Sequence, residues 1–282
     1  MARRRILAAY QTEPVSGLAT WARRLAVFAL VATVVSIIIV RFGFLDVKPA
    51  MATFFGALAI AALSIVVGLA GFGAIWQTGA RGMSRIVLAL AIDLVILAYP
   101  AYLAFQYRKL PAIHDITTDP IDPPRFEALA RLRSVDGANP AVYAGLYSAE
   151  QQRAFWPDIE PVDLDVPVTR AYEVASAIIA RRKWLVIDER PPQPPRRIGR
   201  IEAVARTPIM GFREDISIRI APDGEGSRVD IRSSSRYFES DLGSNAARVA
   251  KLIDDINTAV DNAPVAKKPA APAAKGAVKG KK

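Results

Sequence analysis

Long stretches without a charged side chain dominate the first 107 residues of this 282-residue chain. Residues 25–40 and 50–76 contain none, and residues 86–107 contain one, Asp93. A helix rises about 1.5 Å per residue, so each stretch can cross the roughly 30 Å hydrocarbon core of a bilayer. Uncharged stretches of this length are rare in the cores of soluble proteins. We therefore predict three transmembrane helices within residues 25–107.

The basic residues that flank these stretches predict their orientation. Seven arginines and lysines lie on the side of the N-terminus and four lie on the other side. Because basic residues concentrate in cytoplasmic loops, residues 1–24 are expected to form a cytoplasmic tail. Everything after Tyr107 then lies outside the cytoplasm, and in a bacterium this is the periplasmic side of the inner membrane. The difference of three residues leaves the reverse orientation open.

The net charge of +10 is not spread over the whole chain. Residues 1–107 carry a net charge of +6, residues 108–262 carry −2, and residues 263–282 carry +6. The middle region is slightly acidic and contains no nucleic-acid-binding motif, so nucleic acid is not an expected partner. The last 20 residues are rich in Lys, Ala and Pro, which predicts a disordered tail whose lysines can contact anionic lipids or polymers. The absence of cysteine excludes disulfides and thiolate chemistry.

Residues 161–262 change to the periodicity of a soluble α+β domain. The predicted strands cover residues 163–166, 184–188, 199–207, 212–220 and 228–235, and the predicted helices cover residues 168–183 and 241–260. The order is β-α-β-β-β-β-α. Apolar stripes on both helices and alternating apolar residues on the strands predict an antiparallel sheet with both helices on one face.

The other face of this sheet is predicted to be uncovered and strongly charged. The candidate binding residues are Arg213, Asp215, Arg219, Arg228, Asp230, Arg232, Arg236 and Asp241. The last of them lies at the start of the final helix. One interpretation is a solvated lattice of ion pairs, in which replacing Arg219 or Arg232 costs at most about 1 kcal/mol each. The other is a docking face for a partner protein, a lipid or an anionic polymer, because guanidinium groups suit carboxylates and phosphates.

The stretch HDITTDPIDPPRF contains the single histidine of the chain and three aspartates. Its prolines exclude a helix there, so His114, Asp115, Asp119 and Asp122 cannot share a helical face. They are weak candidates for catalysis or for a calcium-like site, and one histidine without cysteine does not make a zinc site. No metal or cofactor is predicted. We interpret residues 108–160 as an extended neck with short helices that wraps the domain.

Asp93 is a carboxylic acid within the third predicted membrane helix. Acids inside a membrane are functional-site candidates by default. A structural role is the alternative, with the side chain facing Ser64 or the backbone of Gly68, or protonated at intermediate depth in the membrane.

Several separated motifs resemble one known family. These are HDITTDPIDPPRF, FWPDIEP at residues 155–161, and GFREDISIRI, GSRVDIRSSSR and SDLGSNAARV between residues 211 and 249. Together they resemble the DUF1499 family, over about residues 112–260. The resemblance implies a domain boundary and a fold, and it implies no reaction because the family has no established chemistry.

These observations lead to one functional expectation and one alternative. The expectation is a membrane-anchored envelope protein whose periplasmic domain binds or scaffolds without catalysis. The alternative is a hydrolase or transferase that uses His114 and the neighbouring aspartates. The absence of a nucleophile motif favours the first.

Overall fold

The computed structural model describes residues 14–133 and 138–262. Most of the predicted N-terminal tail, residues 1–13, and the predicted tail 263–282 lie outside the described residues. The predicted fold class is confirmed, because three long apolar helices precede an antiparallel sheet domain of mixed α+β type.

The three N-terminal helices are α1 (Gly17–Phe42), α2 (Val47–Thr78) and α3 (Met83–Tyr107). Each is long and apolar enough to cross a membrane. Their contact surfaces consist mainly of small residues, such as Ala22 and Ala26 of α1 and Ala61 of α2, all fully buried. Small side chains allow helix backbones to approach closely in a membrane, where packing rather than the hydrophobic effect drives association.

The remaining elements follow in chain order. They are β1 (Asp115–Thr117), α4 (Ala128–Leu132), α5 (Leu146–Phe155), β2 (Val162–Leu164), α6 (Val168–Arg181), β3 (Leu185–Arg190), β4 (Gly199–Arg206), β5 (Arg213–Asp223), β6 (Gly226–Ser235) and α7 (Ser244–Asp261). From β2 onward this is the predicted order of five strands and two helices. The strand β1 and the helix α5 were not predicted as separate elements.

All pairs in the six-stranded sheet are antiparallel, and the strand order is β1-β6-β5-β4-β3. The short strand β2 pairs with the first part of β6, and β1 pairs with its last part. Helices α6 and α7 cover one face and enclose the hydrophobic core with isoleucines of β4, β5 and β6. The predicted placement of both helices on one face is confirmed.

The opposite face is also covered, which the sequence did not predict. We call it the charged face. It carries every second residue of β4, β5 and β6, among them Glu202, Ser217 and Arg232, together with Asp115 of β1. Residues 118–133 and 138–143, here called the covering segment, lie on it and include α4. The side chains of Phe126 and Leu129 form a small apolar cluster there with Val204 of β4.

The sheet domain contacts α1 at one place and the residues just after α3 at another. Arg41, near the end of α1, donates hydrogen bonds from one guanidinium nitrogen to the carbonyl oxygens of Pro208 and Ile209, at 2.8 and 3.2 Å. After α3 the chain passes next to the start of α7, where Ser240 donates a 3.4 Å hydrogen bond to the carbonyl of Pro111. Both contacts involve the same end of the central strands, namely the start of β5 and the end of β6. The opposite end of these strands therefore points away from the membrane helices.

Candidate functional site

The middle of the charged face is buried rather than uncovered, so the predicted open docking face is wrong there. Asp215 has no exposed surface, and Asp230, Arg232 and Arg236 are at most 4% exposed. The reason is that the covering segment provides carboxylates and carbonyl oxygens that pair with the arginines of the sheet. The solvated lattice and the open binding site both require a surface that faces solvent. This part of the sheet does not face solvent.

The pair formed by Arg232 and Asp115 lies in the middle of this buried layer. Arg232 donates from Nε and from one terminal nitrogen to the two carboxylate oxygens of Asp115, at 2.9 and 2.6 Å. The same guanidinium donates to the carbonyls of Pro124 and Ala141 and lies 4.5 Å from the ring centre of Phe126. One arginine of β6 therefore binds β1 and two parts of the covering segment. A paired and fully hydrogen-bonded charge is the arrangement in which burial is tolerated.

Asp215 of β5 holds a second buried cluster. It accepts a 2.6 Å hydrogen bond from Nε of Arg133, on the covering segment, and it pairs with Arg236 at 2.8 Å. Arg133 also donates to the carbonyls of Pro140 and Ser234. The cluster thus connects two parts of the covering segment with two strands of the sheet.

The third cluster lies toward the end of the sheet that points away from the membrane helices. Arg219 pairs with Asp230 at 2.8 Å and with Asp122 at 2.6 Å. Arg228 pairs with Asp119 and Asp230, each at 3.1 Å. The side chains of Arg228 and Asp122 are 39% and 64% exposed, so this cluster meets solvent, as does the pair of Arg200 with Glu127.

Glu202 of β4 binds the covering segment without an arginine. Its two carboxylate oxygens accept hydrogen bonds from the backbone N–H groups of Glu127 and Leu129, at 2.7 and 2.8 Å. These N–H groups lie at the start of the short helix α4, where backbone donors have no partner within the helix. The strand thus supplies the cap for this helix, and the buried carboxylate is satisfied.

The proposed catalytic residues are near one another in the chain but do not form a free group of acids and bases. Asp115 is committed to Arg232, and Asp119 and Asp122 are committed to Arg219 and Arg228. His114 is half buried, and burial lowers its pKa, while the charge of Asp115 acts in the opposite direction. Among residues 14–133 and 138–262, no group of three or more His, Asp or Glu side chains is arranged to hold a metal ion.

The start of α7 binds a carboxylate of the chain itself. Asp241 accepts hydrogen bonds from the backbone N–H groups of Gly243 and Asn245, both at 2.9 Å. Burial raises the pKa of Asp241 to about 6, although these two hydrogen bonds favour the charged form. The N-terminus of α7 is therefore occupied by Asp241, one of the predicted binding residues.

A polar cluster between the sheet and α7 was missed by the sequence analysis. Glu214 of β5 pairs with Arg248 of α7, and it accepts hydrogen bonds from the hydroxyls of Ser235 and Ser244 at 3.2 and 2.7 Å. Asn245 donates to Ser235 as well. The signal was present in the alternation of β5, because Glu214 falls on the same face as the core isoleucines. An acid at such a position needs a buried partner.

Asp93 is fully buried inside the bundle of membrane helices. Ser64 of α2 faces it, and this is one of the structural arrangements that the sequence predicted. The hydroxyl of Ser64 donates to the carbonyl of Ala22 at 3.0 Å, so Asp93 does not receive its proton. Neither carboxylate oxygen has a hydrogen-bond partner within the part of the chain that the structure describes.

Comparison with known proteins agrees with the extent of the sheet domain. A family model described as "Protein of unknown function (DUF1499)" matches residues 115–256. The matched range begins with β1, includes the covering segment and ends within α7, and the three membrane helices lie before it. No protein with a curated description matches the chain. The match covers half of the 282 residues, and the chain belongs to the DUF1499 family.

Proposed function

We propose that this protein is a bacterial inner-membrane protein with a cytoplasmic N-terminus, whose periplasmic domain is a non-enzymatic binding or scaffolding module. The observation that carries the proposal is that the aspartates available for chemistry are paired with arginines. Asp115, Asp119 and Asp122 hold the covering segment on the sheet. A carboxylate that is committed to a guanidinium is a poor general base, because the ion pair stabilises its charged form.

The contacts with the membrane helices support a scaffolding role. A domain on a flexible linker samples many heights and orientations above a bilayer. Here Arg41 binds the loop between β4 and β5, and Pro111 binds the residues before α7. Two separate contacts restrict both the height and the rotation of the domain. A partner in the same membrane or in the envelope would therefore meet the domain in one orientation.

The charge distribution supports the proposed side of the membrane. The N-terminal side of the three helices carries seven flanking basic residues against four on the other side. A fusion of a reporter enzyme that is active only in the periplasm, placed after Val260, is therefore expected to be active. The matched control is the same reporter placed after Arg81, between α2 and α3, where it should be inactive. Activity of a cytoplasm-only reporter after Val260, with the control reversed, would contradict the proposed orientation.

Rescue of a deletion strain tests the non-enzymatic role. The variant His114→Ala removes the single imidazole of the chain and leaves the ion pairs of the charged face in place. If the domain binds rather than catalyses, this variant is expected to complement the deletion completely. Asp115→Ala serves as the comparison, because it leaves Arg232 buried without its carboxylate and should fail through loss of folded protein. Failure of His114→Ala at normal protein abundance would instead support the hydrolase or transferase alternative.

A further inference from the structure

Three arginines lie where the end of the sheet meets α1. Arg41 lies near the end of α1, Arg206 ends β4, and Arg213 begins β5. Arg206 donates a 3.0 Å hydrogen bond to the carbonyl of Arg41, so their positions are linked. Within residues 14–133 and 138–262, none of the three forms a salt bridge, in contrast to the paired arginines of the charged face.

The pairing of β4 and β5 places two of these charges opposite each other. Arg206 and Arg213 are direct partners across the two strands, and both are exposed. Like charges at directly opposed positions are unfavourable unless an anion lies between them or next to them. Guanidinium groups bind phosphate oxygens through paired hydrogen bonds, so a phosphate group is the anion that this arrangement suits best.

Apolar side chains surround the same loop. Ile209, at the tip of the loop between β4 and β5, is 39% exposed, and Phe238 is 47% exposed. The ring of Phe238 packs edge-on against Phe212, with 5.2 Å between the ring centres. The backbone of Phe238 has a φ of +69°, a left-handed conformation that a bulky residue seldom adopts. Asn139 holds this conformation by donating a 2.8 Å hydrogen bond to the carbonyl of Phe238.

The contact with α1 sets the depth of this loop relative to a bilayer. Arg41 lies near the end of the first membrane helix, and a long basic side chain at such a position extends to the level of the lipid headgroups. The loop touches Arg41 closely: a Cβ atom at Gly211 would lie 3.0 Å from Cγ of Arg41 and 3.3 Å from its Cα. Ile209, whose carbonyl accepts a hydrogen bond from Arg41, is therefore expected at the level of the headgroups, and Phe238 packs against the same loop through Phe212.

We propose that the loop at residues 207–212, with Phe238, inserts into the headgroup layer of the adjacent leaflet, where Arg206 and Arg213 bind the phosphates of anionic phospholipids. The ligand is the headgroup of a lipid in the same bilayer that α1 to α3 cross. Insertion buries the exposed apolar side chains, and the lipid phosphates offset the repulsion between the opposed arginines. The inference rests on the membrane anchoring in the proposed function, and it holds for either orientation.

The absence of cysteine allows a direct test on the full-length chain. Ile209→Cys, labelled with an environment-sensitive fluorophore, is placed in nanodiscs of phosphatidylcholine alone or of phosphatidylcholine mixed with phosphatidylglycerol. A trace of lipid with a nitroxide on its headgroup reports insertion through quenching. We expect stronger quenching in the discs that contain phosphatidylglycerol. Arg206→Gln with Arg213→Gln should remove this increase, because each basic side chain near an anionic surface changes the equilibrium about fivefold.

The matched control removes two charges at the other end of the sheet. Arg196 and Arg197 are exposed residues just before the start of β4, and replacing both by Gln should leave the quenching unchanged. Equal quenching in both lipid mixtures, or an undiminished increase in the Arg206→Gln, Arg213→Gln variant, would overturn the proposal. If inorganic phosphate produced the same increase in quenching in phosphatidylcholine discs, the proposal would also be overturned, since the ligand would then be free phosphate. None of these results depends on the side of the membrane, so they are separable from the reporter test.

Discussion

Replacement of Arg232 by Met is expected to lower the free energy of unfolding of the sheet domain by about 3 to 5 kcal/mol. The side chains of Arg232 and Asp115 are 2% and 1% exposed, so the variant leaves a carboxylate buried without its counter-charge. It also removes the hydrogen bonds that hold the carbonyls of Pro124 and Ala141. This expectation replaces the cost of at most about 1 kcal/mol that a solvated lattice implied.

A double-mutant cycle separates the ion pair from its surroundings. Asp115→Leu alone should cost about as much as Arg232→Met, because it leaves the guanidinium buried without its carboxylate. The double variant should cost clearly less than the sum of the two, since neither charge then remains. Arg228→Gln is the control, and its half-exposed side chain predicts a loss of at most about 1 kcal/mol.

The measurement can use the full-length chain in detergent micelles. Of its four tryptophans, Trp156 and Trp184 lie in the sheet domain, whereas Trp21 and Trp76 lie in the membrane helices. With the last two replaced by Phe, fluorescence during urea unfolding follows the sheet domain alone. A loss below about 1 kcal/mol for Arg232→Met would mean that the pair is open to water and that the covering segment does not seal it.

Much of the fold was predictable from local patterns. The three membrane helices follow from uncharged length, and the strands β4, β5 and β6 follow from alternation, with boundaries that differ by a few residues from the predicted ones. The helices α6 and α7 follow from their apolar stripes. These signals are local, because the buried positions of a helix or a strand recur at a fixed spacing of two to four residues.

The role of the covering segment was not predictable from the same signals. Its prolines give it no helical or alternating period, so the sequence indicated a neck that wraps the domain but not the face of the sheet that this neck covers. The alternation of apolar and charged residues on β5 and β6 normally indicates one solvated face. Here Asp115 and Arg232, separated by 117 positions, satisfy each other, and no local period reports such a pair. The available hint was composition: three aspartates in HDITTDPIDPPRF balance the arginines of GSRVDIRSSSR.

The candidate site was predicted correctly in its residues and incorrectly in its surroundings. Arg219, Arg232 and Asp230 do lie on one face of adjacent strands, as the strand register requires. Their partners come from a segment that the prediction left off the sheet. Arg213 differs from them because it stays exposed, which makes it a candidate for a ligand outside the chain.

The accessibility of Ser217 tests most directly whether the charged face is a sealed interior. Ser217 lies in the middle of β5, has no exposed surface, and donates a 3.1 Å hydrogen bond to the carbonyl of Arg125 on the covering segment. In this cysteine-free chain, Ser217→Cys can be probed with a charged maleimide, and Arg213→Cys on the same strand is the exposed control. We expect the thiol at position 217 to react at least about a hundredfold more slowly than the thiol at position 213, because it reacts only when the segment opens. The two rates should become equal in urea. Equal rates in native buffer would show that the charged face is open to solvent and would contradict the account.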